Sequence, residues 1–546
     1  MGVFTGTGRL LRLALRRDRI KLPVWILLIV GFMGSMIPAL KEAYGAVAEQ
    51  AAYQQLLETS AIGRLFAGAP TEVSFGAVVT GETLLYFGLA IAFMNTLLVI
   101  RHTRHNEELG SSELLQSARV GRYAALTSAL LLALVANTAV AVGLASVLQG
   151  VNGISSGEAW AFGLGQGLVG LSFAAIAGVT AQLAGASRGA NSLAAMAIGA
   201  AFLLRGIGDI FTTTNQAGET SSLWISLLSP FGWLQQMQPL TAVAWWPIVL
   251  FVLFIAAGIG LSYVLLAHRD VGVGIFPARK GRARAARKLL AASPFGLTLR
   301  LQKGVFIGWA ITAGIFALII GGMANQMVDL IEDSEVMQQY IAGLGGTTAA
   351  VESMLSAMLG IVTLMIGAYV VQGMQRARSE ETRGYLESLL ATALGRTRWL
   401  LAHTIVVVIG AASIAAASGA VVAIAAGLAA GSPFAEWQIG VYTLAGLSYV
   451  PALLVFAGIT VFGMGIAPKF AVGLAWAAFA FVALIGQFGS LLKLPDWTIN
   501  MSPFAHIAAA PSAAIAWQSL LVLTAVSSVL LLIGFVGFRR RDLQTS

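Results

Sequence analysis

The amino-acid sequence predicts an all-α membrane protein of twelve transmembrane helices, arranged as two six-helix repeats in parallel orientation. The composition indicates a protein embedded in lipid, because hydrophobic residues make up 58% of the 546 positions and charged residues only 10%. A soluble domain carries about a quarter charged residues. Twelve apolar runs are near or above the roughly 20 residues that cross a bilayer, and one charged loop occurs in both halves.

The chain begins with an amphipathic segment, residues 9–21. Its arginines Arg9, Arg12, Arg16 and Arg19 fall at helical spacing on one face, with leucines roughly opposite. This pattern predicts a helix that lies in the lipid headgroup region. A signal peptide is the alternative, but the next apolar segment is long enough to span the membrane and further spans follow it.

The predicted spans are distributed six to each half. They cover residues 22–40, 76–100, 123–149, 159–184, 191–211 and 243–267, then 304–325, 352–374, 399–430, 437–465, 470–492 and 516–537. The long loop 41–75 has apolar residues at partly helical spacing, which predicts a small helical cap, and residues 326–351 predict a shorter one. The chain therefore divides into a first half, 1–268, a basic linker, 269–296, and a second half, 297–546.

The basic residues predict the orientation. With the N-terminus in the cytoplasm, nearly all of the 33 Lys and Arg residues fall in cytoplasmic segments, and only Lys41, Arg64 and Lys493 fall outside. This excess predicts a multi-pass protein of the cytoplasmic membrane with both termini inside. It also argues against a nucleic-acid partner, since the charge lies in short loops. We interpret the basic linker as a solvent-exposed connection left by the fusion of two copies, and a binding site for anionic lipid is the alternative.

The repeated loop follows the second span of each half. From its glycine onward the two copies match without a gap: Gly110, Glu113, Leu115, Gly121 and Arg122 match Gly384, Glu387, Leu389, Gly395 and Arg396. Two other short segments also recur. Ser229-Pro230-Phe231 matches Ser502-Pro503-Phe504, and Arg269-Asp270 matches Arg541-Asp542. The carboxylates stand among arginines, beside leucines. Such a segment suits a helix that docks in a cleft of a partner, and a capped turn inherited from the duplication is the alternative.

Patterns of catalytic chemistry are absent from the sequence. There is no cysteine, and none of the five histidines forms an HExxH pattern, so no metal site is predicted. Residues 185–189 match GxSxG, but they join two membrane helices instead of a strand and a helix. No GxxxxGK[ST] loop occurs, so the chain has no phosphate-binding loop of its own, and if transport here uses ATP, another polypeptide hydrolyses it. We therefore predict no catalytic residues in this chain.

The repeated loop and the doubled layout resemble the coupling-helix region of ABC-2-type permeases, the membrane subunits of ABC exporters. The full chain, with its basic opening and Leu22-Pro23-Val24-Trp25, resembles the fused permeases of actinobacterial exporters for polyketide antibiotics such as tetronasin and for multiple drugs. Many relatives have proline where Gly121 and Gly395 stand here.

The resemblance implies two copies of a separate ATPase subunit, which would bind ATP and Mg²⁺, and cytoplasmic coupling helices that meet them. It implies a hydrophobic or amphiphilic substrate and contact with membrane lipid. The residues it assigns to coupling are Glu107, Glu108, Gly110, Glu113, Leu115, Arg122, Glu380, Glu381, Gly384, Glu387, Leu389 and Arg396.

The resemblance also implies a substrate pathway along the second and fifth spans of each half. Its candidate residues are Phe87, Phe93, Met94, Asn95, Phe202, Arg205, Asp209, Met358, Met365, Tyr369, Phe479, Phe481 and Phe488. Methionine and aromatic side chains suit varied apolar ligands, and ordinary helix packing is the alternative. For the charge pair Arg205 and Asp209, the alternatives are an outer gate and an anchor near the membrane boundary.

Two functions remain in view. The first is the permease of an ATP-driven ABC exporter of drugs or antibiotics. The second is a secondary, proton-coupled transporter of the major-facilitator kind, which also has two parallel six-helix halves. Proton coupling normally leaves acidic residues at mid-membrane, where only Asp209 qualifies because Glu82 sits near an outer end. The sequence therefore favours the ABC exporter.

Overall fold

The computed structural model describes residues 2–69, 72–108, 110, 120–211, 213–214, 220–270, 273–276, 293–324, 328, 347–429, 436–488 and 494–542. The chain divides into two units, Met1–Arg282 and Ala283–Ser546. Each unit is built from helices, and the strands of the described residues are one two-residue antiparallel pair in the first unit.

The first unit opens with α1 and α2 and closes with a long apolar helix. Its helices are α1 (Thr7–Arg17), α2 (Lys21–Ala43), α3 (Val47–Thr59), α4 (Ala61–Ala67), α5 (Phe75–Ile100), α6 (Ala124–Gln149), α7 (Ser156–Leu183), α8 (Ser187–Ile210), α9 (Pro230–Gln236) and α10 (Pro247–His268). The strands are β1 (Thr213–Thr214) and β2 (Thr220–Ser221), followed by a 3₁₀ turn at Trp224–Leu228.

The second unit has the same general order of long helices. Its helices are α11 (Pro294–Gly322), α12 (Thr347–Thr382), α13 (Tyr385–Leu390), α14 (Arg396–Ala429), α15 (Glu436–Ser448), α16 (Val450–Ile466), α17 (Ala471–Phe488), α18 (Asp496–Ile499) and α19 (Trp517–Arg540), with a 3₁₀ turn at Pro503–His506. Helices α15 and α16 form one apolar stretch interrupted at Tyr449. Pro451, which lacks a backbone N–H, stands at the start of the second piece, where no such donor is needed.

Eleven helices of the described residues are long and apolar enough to cross a membrane. Most of their boundaries lie within a few residues of the predicted spans, because continuous apolar runs fix where a helix is stable in lipid. Two helices extend further: α11 (Pro294–Gly322) begins ten residues before its predicted span, 304–325, and α12 (Thr347–Thr382) ends eight residues after its predicted span, 352–374. The remaining predicted span, 470–492, corresponds to α17, whose apolar helix runs over only Ala471–Gly486. The chain is therefore a multi-pass, all-helical membrane protein.

The predicted headgroup helix is α1, and it ends earlier than expected. The chain turns at Asp18, which is 1% exposed and accepts hydrogen bonds from Arg101 and His102 at 2.5 Å each. A buried carboxylate needs such partners. This contact ties the junction between α1 and α2 to the end of α5.

The predicted helical cap between the first two spans is formed by α3 and α4. Tyr53 and Leu57 of α3 pack against Val78 of α5, and Arg64 of α4 donates to the Ile210 carbonyl at the end of α8. The cap therefore rests on the second and fifth spans of the first unit. The corresponding prediction for residues 326–351 falls largely outside the described residues.

A reciprocal amide pair lies inside the first unit. Asn95 of α5 donates to Asn137 of α6 at 3.0 Å, and Asn137 donates back at 2.7 Å. Gly170 of α7 makes room for the pair, because a Cβ there would lie 1.9 Å from the Asn137 oxygen. Polar groups in the apolar interior are satisfied in this way, and the three helices are held in close contact.

Candidate functional site

The repeated loop of the first unit starts on an irregular helix end. After α5 the backbone forms a π-helical turn, Arg101–His105, and then a short α-helical turn, Asn106–Glu108. π-Helical turns widen a helix locally and occur often at functional sites. This turn brings Arg104 into the interior, where its side chain is 1% exposed.

Glu107 forms the centre of a buried ion cluster. Its carboxylate accepts from Arg104 at 2.7 Å and from Arg269, just after α10, at 2.5 Å. Arg269 also donates through Nε to the side chain of Gln182 on α7 at 2.7 Å. We call Arg104, Glu107 and Arg269 the first clasp. It joins the ends of the second, fourth and sixth helical spans of this unit.

The second unit contains the same arrangement. Glu381, 1% exposed, pairs with Arg378 at 2.7 Å and with Arg541, just after α19, at 2.6 Å. Arg541 donates through Nε to the Met464 carbonyl of α16 at 2.8 Å. We call Arg378, Glu381 and Arg541 the second clasp. In the alignment of the repeated loop, Arg378 and Glu381 correspond to Arg104 and Glu107. In the repeated Arg-Asp pair, Arg541 corresponds to Arg269.

The neighbouring glutamates attach the loop to further helices. Glu108 accepts from the backbone N–H of Ser187 at 3.1 Å and from its hydroxyl, at the start of α8. A carboxylate at a helix N-terminus is favourable because the backbone N–H groups there lack partners. Glu380 accepts from Trp399 and His403 of α14 at 3.3 Å each. The loop start is therefore bound to the fifth span in one unit and to the third span in the other.

The glycine of the repeated loop adopts a left-handed conformation in both units. Gly110 has φ +71° and Gly384 has φ +76°, a region that other residues rarely adopt. In each case the glycine N–H donates to the clasp glutamate's carbonyl, at 3.0 Å for Glu107 and 3.1 Å for Glu381. This turn ends the helix immediately after the clasp and redirects the chain.

The arginine that closes the repeated loop binds the end of the last helix. Arg122 donates to the carbonyls of Leu266, Ala267 and Arg269 at 2.9–3.0 Å, and Arg396 donates to the carbonyl of Arg541 at 2.7 Å. A cation at a helix C-terminus satisfies carbonyl groups that lack intrahelical partners. Both ends of the repeated loop are thus fixed to the same helix end.

Gly121 explains one departure from the resemblance. Its N–H donates to the Thr5 carbonyl at 2.8 Å, and a Cβ would lie 2.2 Å from the Val3 carbonyl oxygen. Proline has no N–H and would meet this oxygen, so the docked N-terminal segment requires glycine here. Gly395 has open space around its Cα, and no such requirement applies to it.

Helix α13 presents a polar and aromatic face outside the second clasp. Leu386 is 1% exposed, whereas Tyr385 is 57% exposed and Glu387 is exposed. Leu389 is half-buried. A shallow depression of about 490 Å³ is lined by Glu387, Leu390, Ala391, Leu394, Gly395 and Arg396. The corresponding Glu113 and Leu115 of the first unit lie outside the described residues.

Arg205 and Asp209 lie at the opposite end of the first unit. They form a 2.6 Å salt bridge, and both are nearly fully buried. Arg205 also donates to the Gln235 side chain at 2.8 Å and to the Leu65 carbonyl of α4 at 2.7 Å, while Asp209 accepts from Ser222 at 2.6 Å. All these partners belong to the cap and to the segment after α8, which favours the anchor over the gate.

The aromatic pathway candidates divide between packed and uncovered positions. Phe93 and Phe481 are 42% and 40% exposed within their own units, and Phe202, Met358, Met365 and Phe479 are partly exposed. Phe87, Met94, Asn95 and Tyr369 are buried, and Asn95 is held in the amide pair. The side chain of Phe488 lies outside the described residues. The pathway assignment remains a prediction.

Sequence reasoning missed the arginines of the clasps. It assigned Glu107 and Glu381 to a partner-facing surface, while the arginines that bind them inside the unit were not chosen as site residues. A signal existed, since Arg269-Asp270 recurs as Arg541-Asp542. Among the described residues, no group of three or more His, Cys, Asp or Glu side chains is arranged to hold a metal ion.

Comparison with known proteins identifies the family. Residues 8–266 and 292–539 match the family described as multidrug efflux system permease Rv1217c, C-terminal domain. The chain belongs to this family. The multidrug efflux system permease protein Rv1217c of Mycobacterium tuberculosis (strain ATCC 25618 / H37Rv) is 34% identical over 545 residues, which cover 99% of this chain and 96% of that protein. In this Rv1217c-family chain, the matched segments contain Arg104, Glu107, Arg378 and Glu381, and they end two or three residues before the other clasp arginines, Arg269 and Arg541.

The anchor assignment of Arg205 predicts a loss of stability. Arg205→Ala leaves Asp209 buried without its cation, which typically costs about 3–5 kcal/mol. We expect a lower yield and a lower apparent Tm in a thermal-shift measurement, together with normal transport by the protein that folds. Arg188→Ala, at an exposed position on the same helix, is the matched control and should leave Tm unchanged. If Arg205→Ala had normal stability but lost efflux, that result would support the outer gate over the anchor.

Proposed function

We propose that the chain is the permease subunit of an ATP-driven ABC exporter for hydrophobic or amphiphilic drugs and antibiotics. Family membership supports drug efflux, because the relative that matches over nearly its whole length is named a multidrug efflux permease. The resemblance of the repeated loop to the coupling region of ABC-2-type permeases, including fused actinobacterial permeases of the tetronasin type, supports the ATP-driven mechanism. In this proposal the chain itself hydrolyses nothing.

The observation that carries the proposal is the pair of clasps. A coupling segment has to transmit the movement of an ATPase to membrane helices, and it can do so only through rigid contacts. The first clasp joins the loop start to the ends of α7 and α10, and the second joins it to the ends of α16 and α19. A simple capped turn needs no such connections to distant helices.

We assign the docking surface for the ATPase to the segment just beyond each clasp. In the second unit this is α13, where Glu387 and Tyr385 are exposed beside the shallow depression. Exposed carboxylates at a rim select basic partners and speed association. Glu113 and Leu115 would occupy the same place in the first unit, so that two copies of a separate ATPase subunit bind, each carrying ATP and Mg²⁺.

The proposed architecture has twelve spans in two parallel six-helix repeats. Helix α17 is counted as a span in this proposal, which brings the total to twelve, since its 16-residue apolar helix belongs to the predicted run 470–492. The recurring clasps, glycine turns and closing arginines support the repeat. We place both termini in the cytoplasm and the protein in the cytoplasmic membrane, because nearly all Lys and Arg residues then face inward.

The substrate route is proposed to follow the second and fifth spans of each half. In the first unit a groove of about 330 Å³ lies between α2, α5 and α8, and its lining combines apolar side chains, including Met94, Leu97 and Trp25, with charged ones, including Asp18 and Lys21. A groove with both kinds of lining suits small amphiphilic molecules. Phe93 and Phe481 are exposed within their own units, and they are candidates for contact with substrate further along the proposed route.

The proton-coupled alternative finds little support. Its best carboxylate, Asp209, is bound to Arg205 at 2.6 Å and to Ser222, and is 0% exposed. A proton-carrying carboxylate has to release its partner and reach water in each cycle. Asp209 is instead part of a contact that fastens the helical cap.

The docking surface is tested by charge reversal. We expect Glu113→Lys with Glu387→Lys to lower co-purification of the ATPase subunit on the order of ten-fold, because repulsion replaces attraction at the rim. Each single change should have a smaller effect. Glu72→Lys, at an exposed position in the loop before α5, is the charge-matched control for each single change. Full retention of the ATPase in the double variant would remove these glutamates from the interface.

The energy source is tested in inverted membrane vesicles that contain permease and ATPase. With ATP supplied, uptake of rhodamine 6G should stop when vanadate is added and continue when a protonophore is added, since ATP hydrolysis drives the movement. Vesicles with the permease alone are the control. Inhibition by the protonophore and resistance to vanadate would support the secondary transporter in place of the ABC exporter.

A further inference from the structure

A groove of about 600 Å³ lies between α11 and α14 of the second unit. Its walls are apolar, with Leu299 and Phe306 from α11 and Ile405 and Ile409 from α14. Leu299 and Ile409 are 48% and 61% exposed, so the groove opens away from the core of the unit. Along α14 the lining residues Ile405, Ile409 and Ser413 recur every fourth residue, so they share one face of the helix.

The floor of the groove depends on one glycine. Tyr369 of α12 reaches across to Gly410, where a Cβ would lie 2.1 Å from the tyrosine hydroxyl. Phe306 lies beside it, with ring centroids 6.3 Å apart in an edge-on arrangement. These rings give the groove a fixed, apolar base suited to hydrocarbon.

Two cations stand at one end of the groove. Arg300 and Lys303 line it, are exposed, and are the charged residues of α11. The rest of the helix, residues 304–322, is uncharged and measures roughly 28 Å at 1.5 Å per residue. This length is close to the roughly 30 Å of the hydrocarbon layer, so the two cations lie at the headgroup level. Neither forms a salt bridge with any described residue.

Gln302 lies on the same helical turn as these cations. It is 2% exposed, and its Nε2 donates to the Gly373 carbonyl at 2.8 Å. Gln302 is one of the residues that line the groove, and its Oε1 is buried without a hydrogen-bond partner among the described residues. A buried acceptor without a partner costs free energy, so a ligand that donates a hydrogen bond at this level is favoured.

We propose that this groove binds one anionic phospholipid with a hydroxyl-bearing headgroup, of the phosphatidylglycerol class. The phosphate lies between Arg300 and Lys303, a headgroup hydroxyl donates to Gln302 Oε1, and an acyl chain follows α14 toward Ser413. Charge, the unpaired acceptor and the apolar groove all fit this one molecule. A soluble anion would leave the groove empty, and a lipophilic cation would meet two positive charges.

The test measures lipid binding to the full-length chain by native mass spectrometry. We expect saturable binding of dioleoylphosphatidylglycerol, weaker binding of dioleoylphosphatidylcholine and no binding of soluble glycerophosphoglycerol. Arg300→Gln with Lys303→Gln should lower phosphatidylglycerol affinity roughly 25-fold, at about 1 kcal/mol for each charge. Arg539→Gln with Arg540→Gln, at exposed positions after the last span of the same unit, is the charge-matched control and should have no effect.

A second variant tests the acyl-chain part of the groove. Ser413→Trp fills its far end and should also lower phosphatidylglycerol affinity, whereas Leu428→Trp, at an exposed position further along α14, should not. Equal affinity for both phospholipids, or unchanged binding in the Arg300 and Lys303 variant, overturns the proposal. Loss of rhodamine 6G binding in Ser413→Trp, with phosphatidylglycerol binding intact, would identify a drug site and also overturn it.

Discussion

The structure of each unit depends on the salt bridge between a loop glutamate and the arginine that follows its last span. Removing one partner of a buried ion pair costs about 3–5 kcal/mol, because the other charge is left without compensation. Here additional partners offset part of this cost. Glu107 has two arginines, and Arg269 is completed by the Gln182 amide oxygen, while Arg541 is completed by the Met464 carbonyl.

This pairing has a mechanical consequence. The loop start, the last span and one further span are joined at a single point, so displacement of the segment beyond the clasp moves three helix ends together. A left-handed glycine three residues after the clasp glutamate ends the helix in both units. The cap end of the first unit is fixed separately by Arg205, which fastens α4 and the segment after α8. In the proposed mechanism, movement imposed at the loop end would be passed along these helices.

The positions of the spans were largely predictable from the sequence, because unbroken apolar runs have few alternatives to a membrane helix. The helical cap was also predictable, from helical spacing in the loop 41–75. Structural details that depend on a single polar contact were not predictable from the sequence. The turn at Asp18 depends on two partners that lie more than 80 residues away, and the interruption at Tyr449 leaves the apolar pattern unchanged.

The residues of the candidate site were predictable in part. The repetition of the loop correctly directed attention to Glu107 and Glu381, but a pattern in the sequence does not say which way a side chain points. Both carboxylates turn inward, and the arginines that hold them stand about 160 residues further along the chain. The sequence did not show that Asn95 and Tyr369, two of the pathway candidates, are buried between helices, because burial is decided by tertiary packing.

The most direct measurement compares ATPase retention with transport in Glu107→Gln combined with Glu381→Gln. Both changes keep the side-chain shape and remove the charge that holds the clasp arginines. At equal amounts of folded permease, the account predicts normal co-purification of the ATPase but much less drug moved per ATP hydrolysed. Loss of the ATPase from the purified complex would contradict it by making these glutamates docking contacts, and unchanged transport would show that the clasps do not couple the loops to the spans.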